Sequence, residues 1–315
     1  MRVVVTGAAG FIGSHVAEAL AGAGHEVLAV DAPARSLAPE AARRRWAGLA
    51  EVPGVTPIET DLAEDDLAKL GEADTVVHLA GRPGIRSSWG AGRAVVRRDN
   101  VLATRRLLAA CAERRPRVVV ASSSSVYGSA GHRPHREDDP LAPASPYAES
   151  KAEVERLTRC AVRDGLPAVV LRYFSVYGPR QRPDMAFHRF VEAALDGRPL
   201  PVFGDGRGSR SFTHVRDVVR ATVAAAETDL PPGVAINIGG TDPVPVRAAI
   251  GLITGALGVE ARTHSEDPVA GDAERTWADT GRAARLLGWR AEIGLADGLR
   301  DQIAWHRSLR AEGAR

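Results

Sequence analysis

Lysine is nearly absent from this chain. Arginine supplies almost all of the basic residues, and the only lysines are Lys69 and Lys151. Lysine and arginine together number 41, aspartate and glutamate number 39, and the formal net charge is +2. A balance so close to zero gives no bulk electrostatic reason to bind nucleic acid or a membrane surface, so we predict neither partner. The scarcity of lysine draws attention to the position of Lys151.

Cysteine and long apolar runs are scarce as well. The two cysteines, Cys111 and Cys160, lie in helix-like segments without the spacing of a metal site. We therefore predict two core residues, no disulfide framework and no metal. No run approaches the roughly 18 apolar residues of a membrane span. The chain begins directly with a strand-like segment, without the pattern of a signal peptide, so we expect a cytoplasmic protein.

Short valine-rich runs alternate with helical patterns over the first part of the chain. Each run is bounded by Gly, Asp or Ser, which is typical of buried strands in an α/β protein with a Rossmann-type, doubly wound parallel sheet. The predicted strands are Arg2–Thr6, Glu26–Val30, Thr56–Glu59, Thr75–Leu79, Arg117–Ala121 and Ala168–Arg172.

The pattern changes after residue 174, where prolines and glycines cluster and short helices follow. We predict a nucleotide-binding domain over residues 1–174 and a smaller, partly interleaved substrate lobe over 175–315. One strand near 234–240 is expected to return to the main sheet. The segment 32–46 is expected to be a flexible insert.

Three glycines join the first predicted strand to the first predicted helix. In TGAAGFIGSH, Gly7, Gly10 and Gly13 follow a strand and open a helix, which is the context that a dinucleotide-binding loop requires. Glycine lets a pyrophosphate approach the N–H groups and the positive dipole of the helix N-terminus. We therefore predict a dinucleotide site here, with Phe11 and Ile12 inside it.

Asp31 ends the second predicted strand, about 20 residues after the loop. A carboxylate there accepts hydrogen bonds from the adenosine ribose and repels a 2′-phosphate, so NAD is favoured over NADP. Arg35 weakens this preference because it lies close to the same position. Asp61 and Leu62 follow the third strand, where the adenine edge would lie. The HLAG segment ends the fourth strand against the phosphates and contributes Leu79, Ala80 and Gly81.

Tyr147 and Lys151 have the spacing YxxxK at the start of a predicted helix. Residues one turn apart share a helix face. A tyrosine with an ordinary pKa of about 10 needs a lowering of about three units, worth about 4 kcal/mol, to act as a base near neutral pH. A neighbouring ammonium and a positive nicotinamide ring both favour the phenolate. We predict an acid–base centre at this pair.

The motifs together resemble one enzyme family over nearly the whole chain. GAAGFIG, HLAG, SSSSVYG, YxxxK, VYGP and GDxxxTxAD resemble an extended short-chain dehydrogenase/reductase of the NAD-dependent nucleotide-sugar epimerase/dehydratase family. The resemblance implies tightly bound NAD, with Asn100 among its contacts. It also implies that Tyr147 is the acid/base, that Lys151 binds the nicotinamide ribose and lowers the tyrosine pKa, and that Ser123 handles the proton on the sugar O4.

Two further serines restrict the type of reaction that the site can catalyse. Dehydratase and decarboxylase branches of the family resemble this segment but carry acidic residues where this chain has Ser124 and Ser125. Elimination needs a strong acid and base beside C5 and C6, and neutral hydroxyls are poor at both. The reactions that remain are oxidation and reduction at C4, either as an epimerisation or as a simple ketoreduction.

The segment PRQRPD resembles the UDP-glucuronate 4-epimerase branch, in which Arg182 would grip the C5 carboxylate. A guanidinium matches a carboxylate in both geometry and charge. The resemblance places the substrate at Arg86, Ser87, Ser124, Ser125, Ser175, the uracil shelf Val202 and Phe203, the diphosphate clamp Arg210, and the ribose-binding Asp272. Val269 stands where related epimerases have an arginine, so we expect Arg210 or Arg275 to hold the diphosphate.

The predicted activity is epimerisation at C4 of a UDP-hexose through a 4-keto intermediate, from UDP-glucuronate to UDP-galacturonate. Two enzymatic alternatives remain open: a UDP-glucose/UDP-galactose 4-epimerase, and a 4-keto-sugar reductase that would consume reduced cofactor. A non-catalytic dinucleotide sensor would need neither Tyr147 nor Lys151. The resemblance also implies a homodimer through helices around 100–112 and 148–163.

Overall fold

A seven-stranded parallel sheet lies at the centre of the molecule. The computed structural model describes residues 1–240, 242–268 and 270–313. The first six strands are β1 (Arg2–Thr6), β2 (Glu26–Asp31), β3 (Val55–Glu59), β4 (Thr75–His78), β5 (Arg117–Ser123) and β6 (Ala168–Tyr173).

The later strands are shorter, and one of them completes the sheet. They are β7 (Val176–Tyr177), β8 (Leu200–Phe203), β9 (Ser209–Arg210), β10 (Thr213–His214), β11 (Ala235–Ile238), β12 (Val244–Pro245), β13 (Thr263–Glu266) and β14 (Arg275–Thr276). The sheet order is β11-β6-β5-β4-β1-β2-β3, with every neighbouring pair parallel. The order therefore reverses between β1 and β4, and a crevice opens there at the carboxyl ends of the strands.

Ten α-helices cover the described part of the chain. They are α1 (Phe11–Gly22), α2 (Pro39–Ala50), α3 (Gly92–Val96), α4 (Ala103–Ala110), α5 (Pro146–Arg163), α6 (Ala186–Leu195), α7 (Val215–Glu227), α8 (Val246–Leu257), α9 (Gly281–Leu287) and α10 (Leu295–Gly313). Among the described residues, none of these helices is long and apolar enough to cross a membrane.

The two faces of the sheet pack into separate cores because successive side chains of a strand point to opposite sides. Val3 and Val5 of β1 join the core beneath α1 and α7, whereas Val4 between them joins the core beneath α4 and α5. Burial on both faces explains why the strands are nearly continuous valine runs. A third core holds the second lobe together, where Tyr177 and Phe187 pack with residues of α8 and α10.

The doubly wound parallel fold predicted from the sequence is confirmed, including the returning strand β11. One local prediction was wrong. The segment 32–46 is not a flexible insert, because it contains a 3₁₀ turn, Pro33–Arg35, and the start of α2, whose Trp46 packs against the core beneath α1 and α7. The helical segment predicted around 100–112 is present as α4, which a π-helical turn at Arg97–Leu102 precedes. Strand β5 also extends two residues beyond its predicted end, to Ser123.

Candidate active site

The backbone of the glycine loop between β1 and α1 is packed too closely for side chains at Gly7 and Gly13. Gly7 has φ +74°, and a Cβ at this position would lie 2.6 Å from the Ala80 backbone nitrogen. A Cβ at Gly13 would overlap the Gly7 carbonyl oxygen. Helix α1 has no side-chain cap and no acidic residue in its first turn, so its N–H groups and positive dipole are available to an anion. These residues fit the pyrophosphate of a dinucleotide.

Asp31 at the end of β2 is tied to the same loop. Its carboxylate accepts hydrogen bonds from Ala9 N at 2.8 Å and from Ala32 N at 2.7 Å, and burial raises its pKa. The guanidinium of Arg35 lies 3.2 Å from Asp61 and 3.5 Å from Asp99. Because Arg35 is already held by two carboxylates, it is poorly placed to favour a 2′-phosphate, and the geometry supports NAD over NADP.

One residue that contacts this loop was missed by sequence reasoning. Arg45 of α2 donates from Nε to the Ala9 carbonyl at 2.7 Å, and burial lowers its pKa to about 10. This contact with the Ala9 carbonyl holds the glycine loop in place from α2. Its only sequence signal is a run of arginines, which more often marks a solvated helix face.

A single cavity joins the predicted cofactor residues to the predicted acid–base pair. It runs from the glycine loop along the carboxyl ends of the strands to α5. Its walls include Gly7, Gly10, Phe11, Ile12, Gly13, Asp31, Asp61, Leu62, Leu79, Ala80, Gly81, Ser122, Tyr147, Lys151 and Arg182.

Asn100 lies behind this wall. Its side-chain amide donates to Ser150 Oγ at 2.8 Å and to the Arg82 carbonyl at 3.1 Å, and its oxygen accepts from Arg82 N. It is fully engaged with protein partners and 1% exposed. Its direct contact with a cofactor stays a prediction, while its observed contacts support the loop after β4.

Helix α5 presents Tyr147 and Lys151 from its first two turns. Ser145 caps the helix by accepting from Ala148 N, and Pro146 occupies the first helical position. Lys151 Nζ donates to the Ala121 carbonyl at 2.9 Å, which holds the ammonium against the end of β5. Burial lowers the Lys151 pKa to about 8, and the nearby Glu155 carboxylate opposes that lowering.

Burial raises the pKa of Tyr147, against a hydrogen bond from Ser123 and the positive charge of Arg182, which both lower it. Among these effects burial is the largest, so the neutral phenol is favoured. The lowering that a base needs near neutral pH must come from an additional positive group beside the ring.

The four consecutive serines have different partners. Ser122 Oγ donates to Glu155 at 2.7 Å, so this first serine is part of the support beneath the site. Ser123 ends β5, and its Oγ accepts from Ser125 N at 3.2 Å. Ser124 begins a 3₁₀ turn that continues to Tyr127. Ser125 Oγ is buried without a hydrogen-bond partner among the described residues. A buried hydroxyl without a protein partner is usually satisfied by a water or by a polar group of a bound molecule, although Ser125 is not among the residues that line the cavity described above.

A buried ion pair under the site was also missed by sequence reasoning. Arg172 of β6 donates to Glu155 from Nε at 2.9 Å and from Nη2 at 2.7 Å. Its Nη1 donates to Tyr127 Oη at 2.6 Å and to the Glu137 carbonyl at 2.9 Å. An arginine within a buried strand, together with a glutamate one helical turn after Lys151, is the signal that could have identified the pair.

Arg182 lines the cavity and already binds a carboxylate. Its Nε and Nη2 donate to the two oxygens of Asp184, each at 3.0 Å. The structure thus places a guanidinium with bidentate geometry in the same cavity as Tyr147. Ser175, in the short connection between β6 and β7, has φ +26°, which is unusual for a residue other than glycine.

The predicted uracil shelf is covered by arginine. The guanidinium carbon of Arg86 lies 4.3 Å from the centre of the Phe203 ring, and that of Arg189 lies 5.2 Å from it. Arg86 also donates to the Asp184 carbonyl at 2.8 Å. Val202 beside the ring is buried. A base that stacks on Phe203 would have to displace a guanidinium from the ring or lie beyond it.

The remaining predicted substrate residues pair with one another or with backbone. Arg210 lies 3.0 Å from Asp272, so the proposed diphosphate and ribose contacts form an ion pair. Arg275 donates to the Gly131 carbonyl at 3.2 Å. Ser87 Oγ faces the carbonyls of its own turn. Val269 lies outside the described residues.

Comparison with known proteins places the chain in a family. Residues 3–239 match the NAD dependent epimerase/dehydratase family. This span is most of the chain, and the chain belongs to that family.

Individual relatives match over both lobes. A Bacillus subtilis (strain 168) protein named "Uncharacterized UDP-glucose epimerase YtcB" is 40% identical over 313 residues, covering 98% of this chain and 99% of the relative. UDP-glucuronic acid 4-epimerase from Bacillus cereus, solved with UDP-glucuronic acid and NAD, is 37% identical with a TM-score of 0.95, covering 98% and 100%. MoeE5, solved with NAD and either UDP-glucose or UDP-glucuronic acid, is 40% identical with a TM-score of 0.89 over the same shares.

Proposed function

We propose that this protein is an NAD-dependent UDP-sugar 4-epimerase that interconverts UDP-glucuronate and UDP-galacturonate. The observation that carries the proposal is the cavity itself. It places the bidentate guanidinium of Arg182 beside the Tyr147–Lys151 pair and continues to the glycine loop and Asp31. Relatives solved with UDP-glucuronic acid and NAD support the same reading.

The proposed roles follow from the contacts. Tyr147 takes the proton from the sugar O4 and later returns it, with Ser123 hydrogen-bonded to the phenol. Lys151 holds its ammonium between the helix and β5 and favours the phenolate. NAD, held by Gly7, Gly10, Gly13 and Asp31, would accept the hydride from C4 and supply it again to the opposite face of the same carbon. Between the two proton transfers the 4-keto sugar turns about its diphosphate linkage, so that its other face is presented.

The two serines that begin the 3₁₀ turn after β5 disfavour elimination as the reaction. Ser124 and Ser125 carry neutral hydroxyls where a dehydratase-type site needs an acid and a base. Ser125 Oγ, which has no protein partner among the described residues, is a donor for the sugar carboxylate. Together with Arg182 it would hold that carboxylate and oppose loss of carbon dioxide from the 4-keto acid.

Proton NMR of the products tests the substrate. UDP-glucuronate, UDP-glucose and UDP-N-acetylglucosamine are each incubated with the purified protein, and conversion of the first alone is expected. Conversion of UDP-glucose alone would establish the competing glucose/galactose 4-epimerase, which the name of the Bacillus subtilis relative favours. Consumption of reduced cofactor in proportion to product would identify a 4-keto-sugar reductase instead.

Replacing Arg182 tests the carboxylate contact. A hydrogen bond to a charged group contributes about 1.5–3 kcal/mol, so Arg182→Ala should raise KM for UDP-glucuronate by roughly 10- to 150-fold and KM for UDP-glucose far less. Arg180→Gln is the control, since Arg180 lies in the same loop but pairs with Glu18 at 2.8 Å. Equal changes for both sugars in Arg182→Ala would contradict the carboxylate role.

The remaining roles belong to the same proposal. Asp61, Leu62 and Asn100 serve the cofactor, while Arg86, Phe203, Arg210 and Asp272 serve the UDP moiety. Residues 1–174 with β11 form the NAD-binding domain, and 175–315 mainly form the sugar-nucleotide lobe. We also propose a cytoplasmic homodimer through α4 and α5, which border an apolar groove that contains Leu108, Leu157 and Ala161.

A further inference from the structure

Two histidines and a glutamate meet away from the cavity, where α6 packs against α10. His188 and Glu192 are one turn apart on α6, so they share a face. His306 of α10 faces them, with its ring centre 4.5 Å from that of His188. One potential donor atom of each of the three residues lies within 4.8 Å of the other two.

The hydrogen bonds of the two imidazoles indicate which nitrogen of each ring would bind an ion. His188 Nδ1 lies 2.9 Å from the Gln181 carbonyl, which can only accept, so Nδ1 carries the hydrogen and Nε2 the lone pair. His306 Nδ1 lies 2.6 Å from Glu192 Oε1, so an ion that binds both of these atoms takes the place of the hydrogen between them. His306 is 1% exposed, and its Nε2 has no hydrogen-bond partner among the described residues.

We propose that His188, Glu192 and His306 form a binding site for a divalent transition-metal ion of the zinc type. Two neutral imidazoles and a carboxylate are donors that such ions prefer. The Gln181 carbonyl behind His188 matches the usual second partner of a metal-bound histidine, which orients the ring. Metal–nitrogen bonds of about 2.0–2.1 Å require the side chains of His188 and Glu192, which are both only half-buried, to shift when an ion binds.

Arg310 opposes the ion at this site. Its Nη2 lies 2.5 Å from Glu192 Oε2 and 2.8 Å from Asp196 Oδ1, so it already supplies a positive charge to the carboxylate. Its side chain is 38% exposed and can leave toward solvent. Removing this charge should therefore strengthen metal binding, which distinguishes a metal site from a purely structural cluster.

An ion here would clamp the loop that carries Arg182. His188 binds the carbonyl of Gln181, the residue before Arg182, and the Gln181 side chain accepts from Gln302 Nε2 on α10 at 2.8 Å. An ion between α6 and α10 would hold both helices to the base of this loop. Because the ion binds the folded chain, it should raise the melting temperature as its concentration rises.

Isothermal titration of the untagged full chain with Zn²⁺ tests the site, and Co²⁺ absorption reports a nitrogen-containing coordination sphere. We expect one ion per chain and a higher Tm. His188→Gln and Glu192→Gln should each weaken binding by roughly tenfold or more, and Arg310→Gln should strengthen it. His264→Gln is the control, because His264 is an exposed histidine on β13.

Absence of saturable binding, or unchanged affinity in both His188→Gln and Glu192→Gln, would overturn the proposal. The variants alter half-buried residues rather than His306, so a folded protein is expected, and near-ultraviolet circular dichroism verifies it. The titration requires no catalysis, and its failure would leave the proposed epimerase activity untouched.

Discussion

Two arginine–carboxylate pairs near the cavity have the same fork geometry and opposite surroundings. Arg172 and Glu155 are joined by two hydrogen bonds of 2.9 and 2.7 Å, and their side chains are 5% and 1% exposed. Arg182 and Asp184 are joined by two of 3.0 Å, and theirs are 18% and 44% exposed. Geometry alone does not separate the pairs. Burial separates them, because it determines whether another group can replace one partner of the pair.

The buried pair is closed to exchange. Ser122 donates to Glu155, and Tyr127 and the Glu137 carbonyl accept from Arg172, so the remaining polar atoms of both ions are satisfied. A buried charge that loses its partner has no water to replace it. This pair therefore fixes α5 against the sheet beneath Lys151 and cannot take part in binding.

The pair in the cavity is open to exchange. Asp184 is half in solvent and can be hydrated when it leaves Arg182. A sugar carboxylate has the same planar geometry and charge as the Asp184 side chain. Under the proposed function, Asp184 thus occupies the place of the substrate carboxylate, and a neutral sugar would have no means of displacing it.

The largest expected effect comes from breaking the buried Arg172–Glu155 pair. Glu155→Gln leaves Arg172 charged and unpaired, which should lower the free energy of unfolding by about 3–5 kcal/mol. Urea denaturation followed by circular dichroism measures the change. Glu153→Gln is the matched control on the same helix, because its partner Arg156 is exposed, and almost no change is expected. If the two variants unfold at the same urea concentration, the buried pair is not the fixed element that we describe.

The same substitution should also move the pH dependence of activity. The Glu155 carboxylate raises the pKa of Lys151, which burial lowers to about 8. Removing that negative charge lowers the pKa further, so the ammonium that favours the Tyr147 phenolate is lost at lower pH. The alkaline limb of kcat/KM should therefore shift toward lower pH in Glu155→Gln and stay in place in Glu153→Gln. A limb that does not move would mean that Lys151 ionisation does not limit activity there.

The sequence predicted the parts of the site that are local in the chain. The glycine loop, Asp31 and the YxxxK pair each lie within one strand–helix junction or one helical turn, so spacing alone brought them together. Arg172 and Glu155 belong to different elements, 17 residues apart, and only the packing of α5 on β6 makes them partners. Arg45 was missed for the same reason, since its contact with Ala9 depends on where α2 folds back.

Residues of the second lobe were the hardest to interpret. Arg86 and Phe203 were assigned separate roles, yet they stack on each other, and Arg210 and Asp272 form an ion pair. Sequence spacing carries no information about such pairs across loops, because loop conformation depends on tertiary contacts rather than on a repeating pattern.

The smallest expected effect tests whether the Arg182–Asp184 pair is exchangeable. Exposed ion pairs contribute about 0.2–1 kcal/mol, so removing the competing carboxylate in Asp184→Asn should lower KM for UDP-glucuronate by at most about fivefold. KM for UDP-glucose should not change, because that sugar has no carboxylate to take the vacated guanidinium. Asp196→Asn, which removes a similarly exposed aspartate from the Arg198 pair after α6, is the control and should leave both values unchanged. A rise in KM for UDP-glucuronate would show instead that Asp184 orients Arg182 for the substrate, and the two pairs would then both be structural.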